Sequence, residues 1–511
     1  MTTLPPALRL QPAQRRDLVI TTRKLLEGIY CHLPQKKALY GSDPLIRMQR
    51  LLQSDDISDR GPIADRLFFS EFLAVLHGLR DLHTGMSYTD PKWRGRVAAL
   101  PLLIERTGPP NKPCYLISKH TEKVDAKFEG VQVTHWNGIP IDTAVARLAT
   151  RTRGANSAAA LARAVEHLTI RPLDEFLQPD EDWVTLTLAD RGDLRLSWSD
   201  LGSRELERTG LVSSSSATID LGIDHTGRAN QAAKQTLFTS TVPTSDSFVR
   251  AETKPIGGRR IGYLRVYSFV APDVVAATKV LADALTGFET DGCDGLIVDI
   301  RNNPGGLIPL AENLLGLLTA NPVITRFSFL ATPLTKAMCA NSSDLAGWSP
   351  SVESAASTGD AFSAALPITN QRSVPQPVTD LPAVLITDAT TYSAGDIFAA
   401  GWIDNAIGST VATATTTGAG GANVWNLSQI TSRLPDDTGS EFQLPAGLDI
   451  RLSVRRALRA GPSDSLPIED LGIKATFLHV IQPEDILGTN EALLLTAVQH
   501  LPRRRRRARV G

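Results

Sequence analysis

The sequence predicts an α/β fold with a mostly parallel sheet, preceded by a helical region and a strand-rich segment. The prediction rests on the second half of the 511-residue chain, where short apolar runs alternate with helical segments. The runs 295–300 and 381–387 are each followed by a loop and a helix, which is the order of parallel β-α-β units. Because one hydrophobic core rarely serves so long a chain, we expect two or three domains.

Residues 1–96 are predicted to form a helical region. Its best amphipathic helix, 64–82, ends directly before His83, which places this histidine on a loop where functional side chains are often found. Segment 97–202 contains short strand-like runs and an Asn137-Gly138 turn signal, so it predicts a β-domain with a helical insertion.

The remaining boundaries follow from changes in composition. Residues 203–256 are polar and poorly patterned, which indicates a connector, and 257–485 hold the α/β core. Within that core, the stretch 340–378 is rich in Ser, Ala, Thr and Pro and predicts a long surface insertion. A C-terminal helix and a basic tail complete the chain over 486–511.

Composition excludes several classes of function. The formal net charge of −1 gives no global field for nucleic acid, although contact through the basic tail stays open. Four scattered cysteines and the histidine spacing predict no disulfide framework and no metal site, and no motif predicts a cofactor. There is no signal peptide or apolar span, so we expect a cytoplasmic protein that binds no membrane, with unconventional secretion left open.

Two loops at the carboxyl ends of predicted strands carry the chemistry, and in an open α/β sheet this is the edge where ligands bind. The first contains Gly305 and Gly306, whose flexible backbone and exposed amides suit an oxyanion hole. The second contains Ser393, directly before a helix, where a serine is either an N-cap or a nucleophile. A nucleophile needs amide donors from a second loop, so the two loops together favour catalysis.

These two loops resemble the tail-specific (C-terminal-processing) serine proteases. The resemblance rests on the segments Asp299-Ile-Arg-Asn-Asn-Pro-Gly-Gly306 and Tyr392-Ser-Ala-Gly-Asp396, and on the preceding strand 262–269. That family pairs its serine with a downstream lysine, yet this chain has no lysine between Lys336 and Lys474. The segment Arg80-Asp-Leu-His-Thr-Gly85 instead resembles the branch of the tricorn core and chlamydial protease-like activity factor (CPAF), where an upstream histidine replaces the lysine.

The resemblance implies a crotonase-like (ClpP-like) core and a serine endopeptidase that acts on proteins or peptides. It implies Ser393 as nucleophile, His83 as general base and Glu469, within Pro467-Ile-Glu-Asp-Leu-Gly472, as the orienting carboxylate. The amides of Gly305 or Gly306 and of Ala394 would form the oxyanion hole. It also implies that 97–202 is a PDZ-like peptide-binding domain, and the alternative is a structural β-domain that positions the helical region. Assembly into a homo-oligomer stays open.

Three alternatives remain at this stage. Asp470 or Glu441 could replace Glu469 as the carboxylate. The order Ser393, Asp404, His479 is that of an α/β-hydrolase triad, although Thr391 breaks the required Gly-x-Ser-x-Gly elbow. The chain could also be a non-catalytic binding protein for peptides or apolar ligands, as in the retinoid-binding protein that resembles these proteases.

Overall fold

A bundle of four helices begins the chain in the computed structural model, which describes residues 8–54, 57–58, 61–90, 92–175, 179, 181–211, 222–238 and 248–502. A proline opens the first, third and fourth helices, where its missing amide costs no hydrogen bond. Phe68, Phe69 and Phe72 of the last helix are fully buried in a shared core. The elements are α1 (Pro12–Gly28), α2 (Leu33–Tyr40), α3 (Pro44–Leu52), α4 (Pro62–His77) and β1 (Gly85–Tyr88).

The segment 97–201 forms small sheets around two helices, as the strand-like runs predict. Asn137 and Gly138 both have positive φ angles, of 47° and 75°, and they join two strands in a tight hairpin. The elements are β2 (Val97–Ala99), β3 (Leu102–Thr107), β4 (Cys114–His120), β5 (Val133–Trp136), β6 (Ile139–Pro140), α5 (Ile141–Ala149), α6 (Ser157–Thr169), β7 (Ile170–Pro172), β8 (Trp183–Leu188), β9 (Gly192–Ser197) and β10 (Ser199–Leu201). The sheets have the orders β3-β4, β6-β5-β8-β9 and β10-β2-β7.

The segment predicted as a connector contributes to the core in its described parts. It holds α7 (Ser203–Glu207), α8 (His225–Phe238) and β11 (Val249–Ile256). Strand β11 pairs along its whole length with β12 (Arg259–Val266) and forms the antiparallel edge of the central sheet. Polar edge-strand residues gave this strand no apolar pattern, which is why composition did not reveal it.

The central sheet has six strands and confirms the predicted α/β fold. Its order is β11-β12-β13-β15-β16-β19, and every pair after the first is parallel. The remaining elements are α9 (Val274–Thr290), β13 (Gly295–Asp299), α10 (Ile308–Leu318), β14 (Arg326–Phe329), α11 (Pro333–Asn341), α12 (Ser349–Thr358), β15 (Ala383–Thr387), α13 (Ala394–Asp404), β16 (Gly408–Ala412), β17 (Ala422–Asn426), α14 (Leu427–Thr431), α15 (Asp436–Gly439), β18 (Leu448–Leu458), β19 (Phe477–Leu478), α16 (Pro483–Leu487) and α17 (Glu491–Gln499).

A second sheet attaches the N-terminal helices to the core. The long strand β18 pairs antiparallel with β1, β14 and β17. Pairing of Gly85 with Arg451 anchors the loop that carries His83, although 366 residues of sequence separate the two. The backbone hydrogen bonds between β1 and β18 therefore hold His83 next to the core.

The stretch 340–378 is more than the predicted surface insertion. Leu345, Trp348 and Val352 are buried in the same core as the N-terminal helices, and the Trp348 indole donates to the carbonyl of Phe327. A few large apolar residues in an otherwise polar stretch are enough to bind it to the domain. The basic tail, 503–511, lies outside the described residues. Among the helices that are described, none has the length and apolar character to span a membrane.

Candidate active site

Ser393 stands at a strained turn between β15 and α13. Its backbone has φ +57° and ψ −120°, and the residue is 2% exposed. A non-glycine residue in this region costs on the order of 1–3 kcal/mol and persists only when its surroundings hold it. The neighbouring backbone does so: the Tyr392 amide donates to the Asn303 carbonyl (2.9 Å) and the Gly418 amide to the Thr391 carbonyl (2.7 Å).

The two predicted glycines lie directly against this serine. Gly305 and Gly306 have φ +99° and +139°, which side chains rarely adopt. A Cβ on Gly305 would lie 2.4 Å from Ser393 Cβ, and one on Gly306 would lie 2.2 Å from the backbone of Phe269. The Gly305 amide is already bonded to Asn303 Oδ1 at 2.9 Å. Gly305 therefore provides space beside the serine, while its own amide is engaged within the loop.

A short segment of the chain itself occupies the site. We refer to residues 222–224 as the strap. The Ser393 hydroxyl donates to the carbonyl of Gly222, and Ile223 forms an isolated antiparallel bridge with Gly305. The Asp224 amide donates to the Pro304 carbonyl at 2.8 Å, and this register turns the Gly306 amide toward the Gly222 carbonyl.

Ala394 and Asp396 connect the serine to the helix that follows it. Ala394 is the first residue of α13, so its amide has no acceptor within the helix. The buried Asp396 carboxylate accepts from the amides of Ser393, Ala419 and Gly420. Burial outweighs these bonds and raises the pKa of Asp396 to about 6. The glycine-rich stretch 418–421 therefore supports the serine turn from behind.

His83 is fully buried and packs against Tyr392, the residue before the serine. The two ring centroids are 4.6 Å apart, and His83 Nδ1 lies 3.4 Å from the Tyr392 hydroxyl. Its other ring nitrogen, Nε2, has no hydrogen-bond partner in the described part of the chain. The structure thus brings His83 to the serine turn, while the serine hydroxyl itself is bonded to Gly222.

Burial keeps the His83 imidazole neutral. It lowers the pKa of His83 to about 4, although the nearby Asp81 carboxylate acts in the opposite direction and Arg451 adds to the lowering. Asp81 also accepts the backbone amide of His83 (2.8 Å) and the hydroxyl of Ser453 (2.8 Å). At neutral pH the ring is therefore an unprotonated base.

Glu469 is fully buried and is bonded to residues other than His83. Its two oxygens accept from Lys36 Nζ (2.6 Å) and from the Gly421 amide (3.1 Å), and His32 Nε2 lies 3.8 Å away. The same ammonium binds Asp470 at 2.5 Å. Because one lysine faces several buried carboxylates, burial prevails and raises the pKa of Glu469 well above its usual range.

The alternatives from the sequence are placed elsewhere. His479 bonds Asp485 and Thr496, and Asp404 bonds Arg459, so the α/β-hydrolase order does not assemble a triad around Ser393. Glu441 is exposed and pairs with Lys24. Asp470 lies beside Glu469, where it binds Lys36 and the Tyr40 hydroxyl.

One group of side chains in the described ranges could hold a metal ion. Donor atoms of His32, Asp81 and Glu469 lie within 4.8 Å of one another, and neither nitrogen of His32 has a hydrogen-bond partner among the described residues. The Lys36 ammonium already supplies a positive charge to this group. Because the group already contains this cation, we assign no metal ion to it.

Sequence reasoning missed the residues that connect the site. Tyr392 and Asp81 lie inside the two sequence motifs that contain Ser393 and His83. Their closeness in sequence to these residues was the signal that could have identified them. Lys36 lies on α2, and the strap precedes α8, and neither belongs to a recognisable pattern. Their roles depend on contacts between segments far apart in the chain.

Comparison with known proteins agrees with this geometry. The model of peptidase family S41 matches residues 260–457. A carboxyl-terminal-processing protease from Synechocystis sp. is 47% identical over 51 residues, which is 10% of this chain and only 11% of that protein. Mature CPAF has the same fold, with a TM-score of 0.67 and 15% identity over 96% of this chain and 97% of CPAF. Its complex with lactacystin gives a TM-score of 0.66 at 15% identity, over 96% of this chain and 98% of the other.

The matched family segment contains the Gly305–Gly306 turn, the strained Ser393 and the strands that position them. Residues 260–457 are therefore similar to peptidase family S41, and the chain has the fold of CPAF.

Proposed function

We propose that the protein is a serine endopeptidase that hydrolyses peptide bonds through an acyl-enzyme on Ser393. The observation that carries the proposal is the contact between the Ser393 hydroxyl and the Gly222 carbonyl. The Gly222 carbonyl lies where a substrate carbonyl would be attacked. It is next to Gly305 and Gly306, where any larger residue would clash with its neighbours. A substrate peptide would take the place of the strap.

In the proposed reaction, Ser393 Oγ bonds to the substrate carbonyl carbon while His83 accepts the hydroxyl proton. The amides of Gly306 and Ala394 stabilise the resulting oxyanion, a contribution of about 100- to 1000-fold per donor. His83 then returns the proton to the leaving amine as the C–N bond breaks. Water, activated by the same imidazole, hydrolyses the ester and restores the serine.

Glu469 is the proposed orienting carboxylate of this reaction. It shares a buried pocket with Asp81, whose charge acts directly on His83. In the present arrangement the Tyr392 hydroxyl, and not Glu469, is the contact of His83 Nδ1. The proposal therefore requires the Glu469 carboxylate to stabilise the His83 imidazolium electrostatically, without a direct hydrogen bond, as the proton is transferred.

The finer architecture belongs to the same proposal. We assign the six-stranded sheet with its helices to a crotonase-like core and the segment 97–202 to a PDZ-like domain. The β5–β6 hairpin followed by α5 supports the second assignment. Such a domain would hold an extended substrate by adding it as a strand. Protein or peptide substrates follow from peptidase activity, whereas a cytoplasmic location stays a prediction.

Labelling with a fluorophosphonate probe tests the mechanism. Wild-type protein is compared with Ser393→Ala, His83→Ala and His479→Ala. We expect labelling to disappear in the first two variants and to persist in the third, because His479 binds Asp485 away from the serine. Lactacystin, with which mature CPAF is complexed in a solved structure, is a second probe of the same nucleophile. Unlabelled, folded wild type would favour the non-catalytic alternative.

A further inference from the structure

A buried arginine of the β-domain is paired with the strap. Arg163 on α6 places one terminal nitrogen 2.6 Å from Asp224 Oδ2, and both side chains are nearly inaccessible, at 0% and 2% exposure. The guanidinium also lies over the Tyr392 ring, 5.7 Å from its centroid. Its Nε and Nη2 atoms have no hydrogen-bond partner within the described ranges. Arg163 is thus a buried charged group with unused hydrogen-bond donors, and it packs against the residue that precedes Ser393.

The strap shows which residue of a bound peptide would meet this arginine. Gly222 presents its carbonyl to Ser393, Ile223 pairs with Gly305, and Asp224 follows. If a substrate follows the same path, its scissile carbonyl takes the place of Gly222. The second residue after the scissile bond then takes the place of Asp224, beside Arg163.

We propose that Arg163 determines specificity by binding an acidic side chain at the second residue after the scissile bond. This inference rests on the proposed peptidase function and adds a preference to it. An arginine removed from water binds a carboxylate through charge-assisted hydrogen bonds, which are the stronger class in proteins. A substrate without that carboxylate leaves the guanidinium buried and unpaired, and is therefore rejected.

Asp224 also has a structural role, which the test must leave intact. Its other oxygen, Oδ1, accepts the Gly227 amide at 2.9 Å and so caps the start of α8. Asparagine caps a helix as well as aspartate does. The variant Asp224→Asn therefore keeps the cap while it removes the strap's charge from Arg163.

The test measures peptide binding to the full chain carrying Ser393→Ala and Asp224→Asn, so that no hydrolysis occurs. Two fluorescent peptides with blocked ends contain Gly-Ile-Asp or the matched Gly-Ile-Asn. We expect the aspartate peptide to bind at least about tenfold more tightly, as loss of a charged hydrogen bond predicts. Adding Arg163→Gln abolishes the difference, and Arg163→Lys restores part of it. The surface variant Arg195→Gln, in the same β-domain, leaves it unchanged.

Equal affinity for the two peptides, a preference that survives Arg163→Gln, or failure of both peptides to bind would each overturn the inference. Because the comparison is a ratio measured on one preparation, partial unfolding of a variant does not imitate the result. Fluorophosphonate labelling of wild-type protein tests the peptidase function separately. A labelled enzyme without the aspartate preference would thus reject this inference alone.

Discussion

The two sides of the site are built in different ways. The nucleophile side consists of the loops 300–306 and 388–393, which follow adjacent parallel strands and are joined by backbone hydrogen bonds. The base side consists of His32, Lys36, Asp81, His83 and Glu469, which come from three distant parts of the chain and meet through buried side chains.

This difference determines what each side tolerates. The nucleophile side has close backbone contacts, so it is sensitive to added volume. The base side contains several buried carboxylates and histidines with one lysine, so it is sensitive to a change of charge. Five predictions test this contrast, in order of decreasing expected effect.

Removing the charge of Lys36 should damage the base side most. Lys36→Met leaves Glu469 and Asp470 buried without their cation, which typically costs about 3–5 kcal/mol. We expect a clear fall in the thermal unfolding midpoint. The control is Lys37→Met. Lys37 forms a partly exposed ion pair with Asp43, and such a pair should contribute less than about 1 kcal/mol to the free energy of unfolding. Equal midpoints for the two variants would contradict the contrast.

Adding one methyl group at Gly305 should damage the nucleophile side. The new Cβ would lie 2.4 Å from Ser393 Cβ, and alanine does not favour φ +99°. We expect Gly305→Ala to lower the rate of fluorophosphonate labelling by about 100-fold, because displacing Ser393 from the oxyanion donors should cost about as much as losing one donor. Gly287→Ala, on an open face of α9, is the matched control and should label at the wild-type rate.

Lowering the pH should act through the base side. Burial lowers the pKa of His83 to about 4, so the imidazole stays an active base until the pH approaches that value. We expect kcat/KM for a peptide to be steady near pH 6 and to fall about tenfold per pH unit below about 4. A fall centred near pH 6.5 would show that His83 is solvated.

The same histidine also connects stability with pH. The unfolded chain binds a proton on His83 near pH 6.5, whereas the folded chain resists it down to about 4. Stability is therefore full above pH 6.5 and is lost as the pH falls between these values. The midpoint of thermal unfolding, followed across this range, should fall less steeply in His83→Gln.

Removing the Tyr392 hydroxyl should have the smallest effect. Tyr392→Phe keeps the ring that packs on His83 and removes only the 3.4 Å contact to Nδ1. We expect kcat to fall a few-fold, with KM unchanged, because the contact orients the base without touching substrate. A loss as large as that of Gly305→Ala would mean that the tyrosine takes part in proton transfer.

Much of the nucleophile side could be predicted from sequence because its determinants are local. Glycines 305 and 306 and Ser393 each follow a strand of the same sheet, and parallel strands place their carboxyl ends at one edge. The α/β core followed from the same alternation. Strand β11 was missed because an exposed edge strand needs no apolar pattern.

The base side was predicted less completely. The sequence motif located His83 and Glu469, both of which are buried at the site. It did not reveal that Glu469 binds Lys36 and Gly421, or that Tyr392 is the neighbour of His83. Such contacts depend on which helices pack together, and no local rule of sequence states that.

The kind of core, the two loops of the candidate site and the position of Ser393 could be predicted from the sequence alone, because hydrophobic periodicity and turn residues act over a few neighbouring positions. Only the tertiary structure decided the partners of those residues: the pairing of β1 with β18 that delivers His83, the lysine that neutralises Glu469, and the strap that places Asp224 on Arg163. These depend on chain segments tens to hundreds of residues apart, which meet only when the whole chain has buried its cores.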